Sequence, residues 1–256
     1  MCGFTGFWQH GPANDALAPV AQSMADCIVH RGPDDSGVWV DDVSGLALAH
    51  RRLSIVDLSA AGHQPMLSAS GRYVLAYNGE VYNHLELREA LGAENAAPPW
   101  RGHSDTETLL ACIEAWGVEA TLGRSKGMFA FALWDRQDQT LVLARDRAGE
   151  KPLYYGWQGN TFLFGSELKA LRAHPAFNAP VDRGALVLFL RHNYVPAPYS
   201  IHQGIFKLPS GSWLELRQGQ RETTPQAYWS LAQVAERSMA DPFTGSDAEA
   251  VDELAR

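Results

Sequence analysis

The second residue of the chain is a cysteine, in the opening Met1-Cys2-Gly3. The small side chain of Cys2 is compatible with removal of Met1, after which one residue carries both a thiol and a free α-amine. A thiol is only slightly ionised at neutral pH, whereas an α-amine with a pKa of about 7.7–8.0 can accept its proton. These residues predict a nucleophilic cysteine with its own base, and a plain structural cysteine is the simpler alternative on these residues alone.

Two polar stretches further along the chain carry groups that such a nucleophile needs. Asn78-Gly79 offers a side-chain amide and a backbone N–H for an oxyanion, although most Asn-Gly pairs only turn the chain. The stretch Ser104-Asp105-Thr106-Glu107 is a capping box, which places Asp105 in the first turn of a helix. An acidic residue there also complements the helix dipole, so Asp105 has a structural interpretation beside a functional one.

The hydrophobic pattern indicates which elements hold these residues. Residues 2–9 form an apolar, strand-like run that places Cys2 at a strand end, and apolar spacing predicts a helix from Asn14 to His30. Four more strand-like runs follow: 37–40, 46–50, 53–56 and 73–77. Because only a few turn residues separate these runs, antiparallel pairing is favoured. Asn78-Gly79 is predicted to form a tight turn.

The rest of the chain adds helices and a second set of strands. Helices are predicted over 84–94 and 105–116, and strands over 128–135, 140–145, 153–157 and 161–164. Further on, the pattern predicts a helix over 182–191, a strand over 212–217, a polar loop over 241–246 and a helix starting at Ser246 or Asp247. The predicted fold class is α+β, a four-layer αββα sandwich of two mainly antiparallel sheets flanked by helices.

Composition limits the class of protein. The 256 residues are 46% hydrophobic and 20% charged, as in ordinary globular proteins, and provide ample material for a buried core. A net charge of −8 argues against a nucleic-acid partner. No run of 18 apolar residues and no signal-peptide pattern occurs, so the expectation is a cytoplasmic enzyme without a membrane partner.

The cysteines and histidines give no sign of a disulfide framework or a metal site. Three cysteines are an odd number, and none forms a C-x-x-C pair. Cys27 and Cys112 lie in apolar, helix-like stretches and are predicted to be buried thiols. The nine histidines are scattered without a metal-binding pattern, so no metal is predicted in this part of the chain.

Several stretches occur in a fixed order behind Met1-Cys2-Gly3. They are HRGPD (30–34), HRRLSIVD (50–57), YNGEVYN (77–83) and SDTE (104–107). In this order and spacing they resemble the glutaminase domain of class II glutamine amidotransferases, a branch of the N-terminal nucleophile hydrolases. Within that class the chain is similar to the asparagine synthetase group, through GMFAFALWD (127–135), RDR (145–147), KPLYY (151–155), FGSELK (164–169), YVPAP (194–198) and KLPSG (207–211).

The resemblance implies a role for each catalytic residue. The Cys2 thiol would attack the side-chain amide of glutamine, with the α-amine taking the proton and returning it to the leaving ammonia. The side-chain N–H of Asn78 and the backbone N–H of Gly79 would hold the oxyanion. Water would then hydrolyse the γ-glutamyl thioester.

The same resemblance implies which residues bind the substrate. Arg52 would hold the α-carboxylate of glutamine as a bidentate fork, and Asp105 would hold its α-ammonium. Leu53, Ile55 and Glu80 would contribute backbone or supporting contacts.

The resemblance also implies a division of the chain. Residues 1–180 would form the glutaminase domain, and residues 181–256 a linker and the start of a truncated ATP-dependent synthetase domain. Because no Ser-Gly-Gly-x-Asp-Ser loop occurs, the chain is expected to be the N-terminal part of a longer protein. This part would need no cofactor, whereas ATP and Mg²⁺ are expected for the missing synthetase domain.

Ammonia would pass internally to the synthetase domain of the same chain, which would amidate aspartate or another carboxylate such as a sugar uronate. A homodimer is compatible with the sequence. Two alternatives stay open at this stage: another class II enzyme, of the glucosamine-6-phosphate synthase or phosphoribosyl amidotransferase type, and a non-catalytic scaffold with the same fold.

Overall fold

The computed structural model describes residues 1–11, 16–55 and 57–254, which form two six-stranded sheets and eight α-helices. The strands are β1 (Gly3–Gln9), β2 (Asp35–Asp41), β3 (Leu46–Arg52), β4 (Met66–Leu67), β5 (Tyr73–Val81), β6 (Gly127–Asp135), β7 (Thr140–Arg145), β8 (Tyr154–Gln158), β9 (Thr161–Gly165), β10 (Ile205–Lys207), β11 (Ser212–Arg217) and β12 (Gln226–Ala227). The helices are α1 (Leu17–Asp26), α2 (His84–Ala93), α3 (Asp105–Trp116), α4 (Val118–Arg124), α5 (Leu168–Arg172), α6 (Arg183–His192), α7 (Leu231–Ala240) and α8 (Asp247–Leu254).

Both sheets are antiparallel at every strand pair. The first sheet has the order β10-β8-β9-β1-β3-β2, and the second has the order β12-β11-β7-β6-β5-β4. Side chains alternate across each strand, so one face of each sheet can pack on the other sheet and the opposite face on helices. In β6, residues 130, 132 and 134 belong to the core between the sheets, and residues 129, 131 and 133 pack towards α2, α3 and α4.

The first sheet is covered in the same way on its outer face. Its outward residues, including Phe7 and Leu163, form a core with residues of α1 and α5. The layers are therefore helix, sheet, sheet and helix, which confirms the predicted αββα sandwich. Large aromatic side chains fill the centre, where Trp8 and Trp134 meet edge to face with ring centroids 5.0 Å apart.

Strands beyond residue 180 are part of this body. β10 pairs with β8 in the first sheet, and β11 pairs with β7 in the second. The two sheets thus use residues up to 227, and the predicted division of the chain at residue 180 stays a prediction. α7 lies in a region for which the sequence pattern predicts no element, and neither α7 nor α8 has a buried residue.

The predicted tight turn at Asn78-Gly79 is wrong, because β5 runs straight through both residues. Asn78 pairs with Ala130, and Gly79 pairs with Phe129. The glycine is needed for close approach of the neighbouring strand: a Cβ on Gly79 would lie 2.4 Å from the Met128 carbonyl oxygen. The local turn signal is overridden because a nine-residue strand gains a full ladder of hydrogen bonds with β6.

Three other local predictions need correction. The strand predicted over 53–56 does not form at 53–55, since β3 ends at Arg52, and Val56 lies outside the described residues. The helix predicted from Asn14 is shorter, since α1 ends at Asp26 and a separate 3₁₀ turn follows; Asn14 itself lies outside the described residues. Cys27 is exposed at the end of α1 and not buried, whereas Cys112 is buried as predicted.

None of the helices in the described ranges combines the length and apolar character that crossing a bilayer requires.

Candidate active site

A cavity lies where the start of β1, the end of β3, the middle of β5 and the first turn of α3 meet. Its interior volume is about 100 Å³, and it opens to solvent. All eight residues predicted to bind or catalyse line it: Cys2, Arg52, Leu53, Ile55, Asn78, Gly79, Glu80 and Asp105. The fold thus brings together residues that lie up to 103 positions apart (105 − 2) in the sequence.

The Cys2 thiol is held at the end of β3. Because β1 and β3 are antiparallel, with Gly3 opposite Arg51, Cys2 lies at the level of Arg52, the last residue of β3, and next to Leu53. The Leu53 N–H donates to the Cys2 Sγ at 3.3 Å, and the Sγ lies 3.5 Å from the Leu53 carbonyl. Burial raises the pKa of the Cys2 thiol, while the Leu53 backbone, the amino terminus and Arg52 oppose that rise.

Charged side chains fix the backbone of Cys2 from the other side. The Arg31 Nε donates to the Cys2 carbonyl at 2.9 Å, and the Arg31 Nη1 donates to Glu167 at 2.9 Å. The arginine side chain packs closely on Gly3, since a Cβ there would lie 2.7 Å from the Arg31 Cδ and would force that side chain to shift. Cys2 therefore has its backbone anchored while its side chain lines the cavity.

The side chain of Asn78 lines the cavity with an unused donor. Asn78 is 1% exposed, and within the described residues its Nδ2 has no hydrogen-bond partner. A buried amide N–H without a partner costs free energy, so its position calls for an explanation such as a bound ligand or water. Here the orphaned donor shares a cavity with the Cys2 thiol.

The backbone N–H of Gly79 faces the same cavity because β4 is too short to cover the edge of β5. At this edge the Tyr77 N–H donates to the Gln64 side chain at 2.7 Å, and the Val81 N–H donates to the Asp105 side chain at 2.9 Å. Gly79 lies midway between them, and alternate residues of a strand face the same edge. On the opposite strand, Phe129 directs its N–H and carbonyl towards Asp146 and away from Gly79.

The Arg52 guanidinium is held by the loop that follows β3. Its Nη1 donates to the Ser59 carbonyl at 3.0 Å, and its Nη2 donates to the Asp57 carbonyl. A Cβ on Gly62 would collide with the guanidinium, so the loop fits closely around it. A guanidinium has five donors, and these two bonds leave three (5 − 2). Arg52 can therefore still form a fork with a carboxylate.

The Asp105 carboxylate joins α3 to β5. Its Oδ2 accepts from the Tyr77 hydroxyl at 2.6 Å and from the Val81 N–H at 2.9 Å. The Ser104 hydroxyl caps the helix by accepting from the Glu107 N–H at 3.2 Å, as the capping box predicts. Burial and the neighbouring Asp105 charge raise the pKa of Tyr77 well above its usual value, so its hydroxyl stays a donor.

Leu53 lines the cavity and contacts the Cys2 Sγ through its backbone, and its predicted contact with the substrate stays a prediction. Ile55 is 70% exposed at the rim, and Glu80 is also exposed. Within the described residues, no group of three or more His, Cys, Asp or Glu side chains is arranged to hold a metal ion.

The sequence matches the family model described as a glutamine amidotransferase domain over residues 1–229. The chain belongs to the class II glutamine amidotransferase family. It is 41% identical over 193 residues to asparagine synthetase (glutamine-hydrolysing) 3 of Bacillus subtilis, covering 73% of this chain and 30% of the relative. It is 36% identical over 219 residues to asparagine synthetase 1 of the same organism, covering 85% of this chain and 34% of the relative.

The amidotransferase domain spans less than half the length of the curated relatives it matches. Among solved structures, the glutamine phosphoribosylpyrophosphate amidotransferase of Bacillus subtilis superposes with a TM-score of 0.65 over 89% of this chain and 49% of that chain. The sequence identity to that structure is 18%, so the superposition supports the shared fold alone.

Two residues that support the amidotransferase site are absent from the predicted set. Tyr77 orients Asp105, and His50 joins the two sheets beneath the cavity, with its Nε2 2.9 Å from the Tyr77 carbonyl. Burial lowers the pKa of His50 to about 4, so the ring is neutral and its Nε2–H donates to that carbonyl. Both lie inside the stretches that carry the family resemblance, but their partners become visible only when the strands are paired.

Proposed function

We propose that this domain hydrolyses glutamine to glutamate and ammonia through a thioester on Cys2. The observation that carries the proposal is the buried Nδ2 of Asn78, which has no partner among the residues that the structure describes and belongs to a residue lining the same cavity as Cys2. With the N–H of Gly79 at the open edge of β5, it supplies two donors for the oxyanion of a tetrahedral intermediate.

The first half of the reaction forms the thioester. The Cys2 Sγ attacks the side-chain amide carbon of glutamine while the thiol proton passes to the Cys2 α-amine. The C–N bond then breaks, the α-ammonium returns the proton to the leaving nitrogen, and ammonia departs. Before Met1 is removed, the Cys2 nitrogen is an amide that cannot accept this proton, so the proposal requires that removal.

The second half releases the product. Water attacks the thioester carbon, the α-amine takes a water proton, and the Cys2 sulfur leaves and regains that proton as glutamate forms. Arg52 is proposed to hold the α-carboxylate through its free donors, and Asp105 the α-ammonium. Leu53, Ile55 and Glu80 are proposed to shape the site around the substrate.

The ammonia is proposed to serve an ATP- and Mg²⁺-dependent synthetase domain joined to this one in a longer protein. Support comes from relatives named asparagine synthetases, of which this chain matches less than half the length. The acceptor would be aspartate or a related carboxylate. The reaction is proposed to be cytoplasmic, where the free thiols of Cys2, Cys27 and Cys112 stay reduced.

The test is a glutamate-release assay on protein whose N-terminus is identified by mass spectrometry. Protein that starts at Cys2 should release ammonia from glutamine slowly and form no amide product with ATP. Cys2→Ala should be inactive and Cys2→Ser weak at best, whereas Cys27→Ser is the matched control and should keep full activity. No glutamate release from the correctly processed domain would refute the proposal.

A further inference from the structure

Lys151 is a buried lysine on the wall of the cavity that the steps above do not use. It is 3% exposed, and its Nζ donates to the Met1 sulfur at 2.8 Å. Within the described residues it forms no ion pair with a carboxylate. A buried ammonium normally pairs with an acidic side chain, and a thioether is a weak acceptor. Its position therefore needs an explanation other than packing.

The backbone of Lys151 is fixed from both sides. Its N–H donates to the Asp146 carboxylate at 3.0 Å, and its carbonyl accepts from the Arg145 Nε at 2.7 Å. Asp146 is fully buried and also accepts from the Phe129 N–H on β6. The fold itself therefore holds the lysine towards the cavity.

Removal of Met1 changes what the Lys151 ammonium faces. The sulfur that accepts its hydrogen bond leaves with Met1, and a new α-amine appears on Cys2, the residue to which Met1 was joined. The distance between the two amines is then limited by the length of one methionine side chain plus a hydrogen bond. At such a range, comparable to the Debye length in dilute salt, two charges still interact through a partly buried cavity, and added salt weakens the interaction.

We propose that Lys151 is a positioning residue whose fixed positive charge keeps the mature Cys2 α-amine unprotonated and its thiol readily ionised. This inference rests on the proposed glutaminase reaction. A nearby cation disfavours a second cation on the amine and favours an anion on the sulfur. The first effect keeps the amine free to accept the thiol proton, and the second stabilises the negative charge that develops on the sulfur as that proton leaves.

The other charged groups around Cys2 do not cancel the effect of the Lys151 charge. Arg31 and Arg52 also place positive charge near it. On the acidic side, the Asp105 carboxylate is occupied by Tyr77 and Val81, and Glu80 points to the exposed rim. The remaining acid that lines the cavity, Asp57, accepts from the N–H groups of Ser59 and His103.

The experiment measures two pH profiles on processed protein. One is kcat/KM for glutamine hydrolysis, and the other is the rate of Cys2 alkylation by iodoacetamide, which needs no turnover. The variants are Lys151→Met, which removes the charge at similar length, and Lys151→Arg, which keeps it. Lys126→Met is the matched control, because Lys126 is an exposed lysine away from the cavity.

Lys151→Met should move the acid limb of both profiles to higher pH by roughly 0.5–1 unit, more at low salt than at high salt. Lys151→Arg and Lys126→Met should leave both limbs in place. An alkylation profile that Lys151→Met leaves unchanged would overturn the proposal. This holds also if the variant raises KM for glutamine, because that result alone would indicate a role in substrate binding. Should Lys151→Met fail to fold, Lys151→Gln takes its place with the same criteria. If no protein hydrolyses glutamine, the proposed function fails, and the alkylation profile still decides the effect of Lys151 on the thiol.

Discussion

Cys2 and Cys112 are both largely withdrawn from water, but their surroundings differ in kind. Cys112 lies between α3 and the second sheet among apolar side chains, and burial raises its pKa to about 12. Cys2 borders a cavity, receives the Leu53 N–H and lies near the positive charges of Arg31 and Arg52. Burial alone makes a thiol inert, whereas burial beside donors, cations and a cavity can make it a nucleophile.

The largest expected difference between the two thiols is in chemical labelling. A glutamine-like diazo-ketone should modify Cys2 and spare Cys112, because a thiol with a pKa of about 12 is only ~10⁻⁵ ionised at pH 7. Peptide mapping by mass spectrometry measures this selectivity.

Cys27 sharpens the comparison because it is exposed. Burial does not protect Cys27 from alkylation, so a reagent can spare it only by requiring a binding site that Cys27 does not have. Iodoacetamide should label Cys27 as well as Cys2, whereas the glutamine analogue should leave Cys27 unmodified. Equal labelling of Cys2 and Cys27 by the analogue would show that the cavity around Cys2 has no special affinity for glutamine.

The second prediction concerns the side-chain donor of Asn78 beside Cys2. Asn78→Ala should lower kcat by roughly 10²–10³ with a modest change in KM, because the oxyanion forms only during the reaction. Steady-state kinetics separate these two parameters. A variant that keeps its kcat would remove Asn78 from the oxyanion site, while Asn83→Ala, which alters an asparagine outside the cavity, serves as the control.

The third prediction concerns binding of the two charged ends of glutamine. Arg52→Lys and Asp105→Asn should raise KM by roughly 10–100-fold with a smaller effect on kcat, because these contacts exist in the ground state and the transition state alike. Tyr77→Phe removes the hydroxyl that orients Asp105 and should raise KM less. An unchanged KM in both charge variants would place the substrate elsewhere.

The smallest predicted effect is on stability and comes from His50 beneath the cavity. Its folded pKa of about 4 lies below the unfolded value near 6.5, so the unfolded state binds the proton first as pH falls. The free energy of unfolding therefore falls between about pH 6.5 and pH 4, and its decrease from pH 7 to pH 5 is about 2 kcal/mol.

Denaturant unfolding at several pH values tests this effect. His50→Gln keeps a side-chain N–H near the Tyr77 carbonyl but does not titrate, so this part of the pH dependence should disappear. His192→Gln, at an exposed position on α6, should keep it. Identical pH dependence in His50→Gln and the unaltered domain would contradict the linkage.

Local signals predict some parts of the fold well. The capping box predicts the start of α3, because Ser104 and Glu107 interact within one helical turn. Period-two alternation predicts the strands from β6 to β9 within about one residue at each end. Where the outcome depends on distant partners, local signals fail: Asn78-Gly79 looks like a turn but pairs with β6, and Cys27 looks buried but lies beyond the end of α1.

The sequence by itself determined the candidate chemistry: the cysteine behind Met1, the acidic residue in a capped first turn, and the ordered stretches that indicate an amidotransferase. Only the tertiary structure decided which donors are unused: pairing between β5 and β6 leaves the Gly79 N–H at an open edge, and packing buries the Asn78 side chain so that, within the described residues, its Nδ2 has no partner. It also placed Lys151 at the N-terminus, 150 positions away along the chain. Such contacts depend on how distant strands and loops pack, and no short stretch of sequence contains that information.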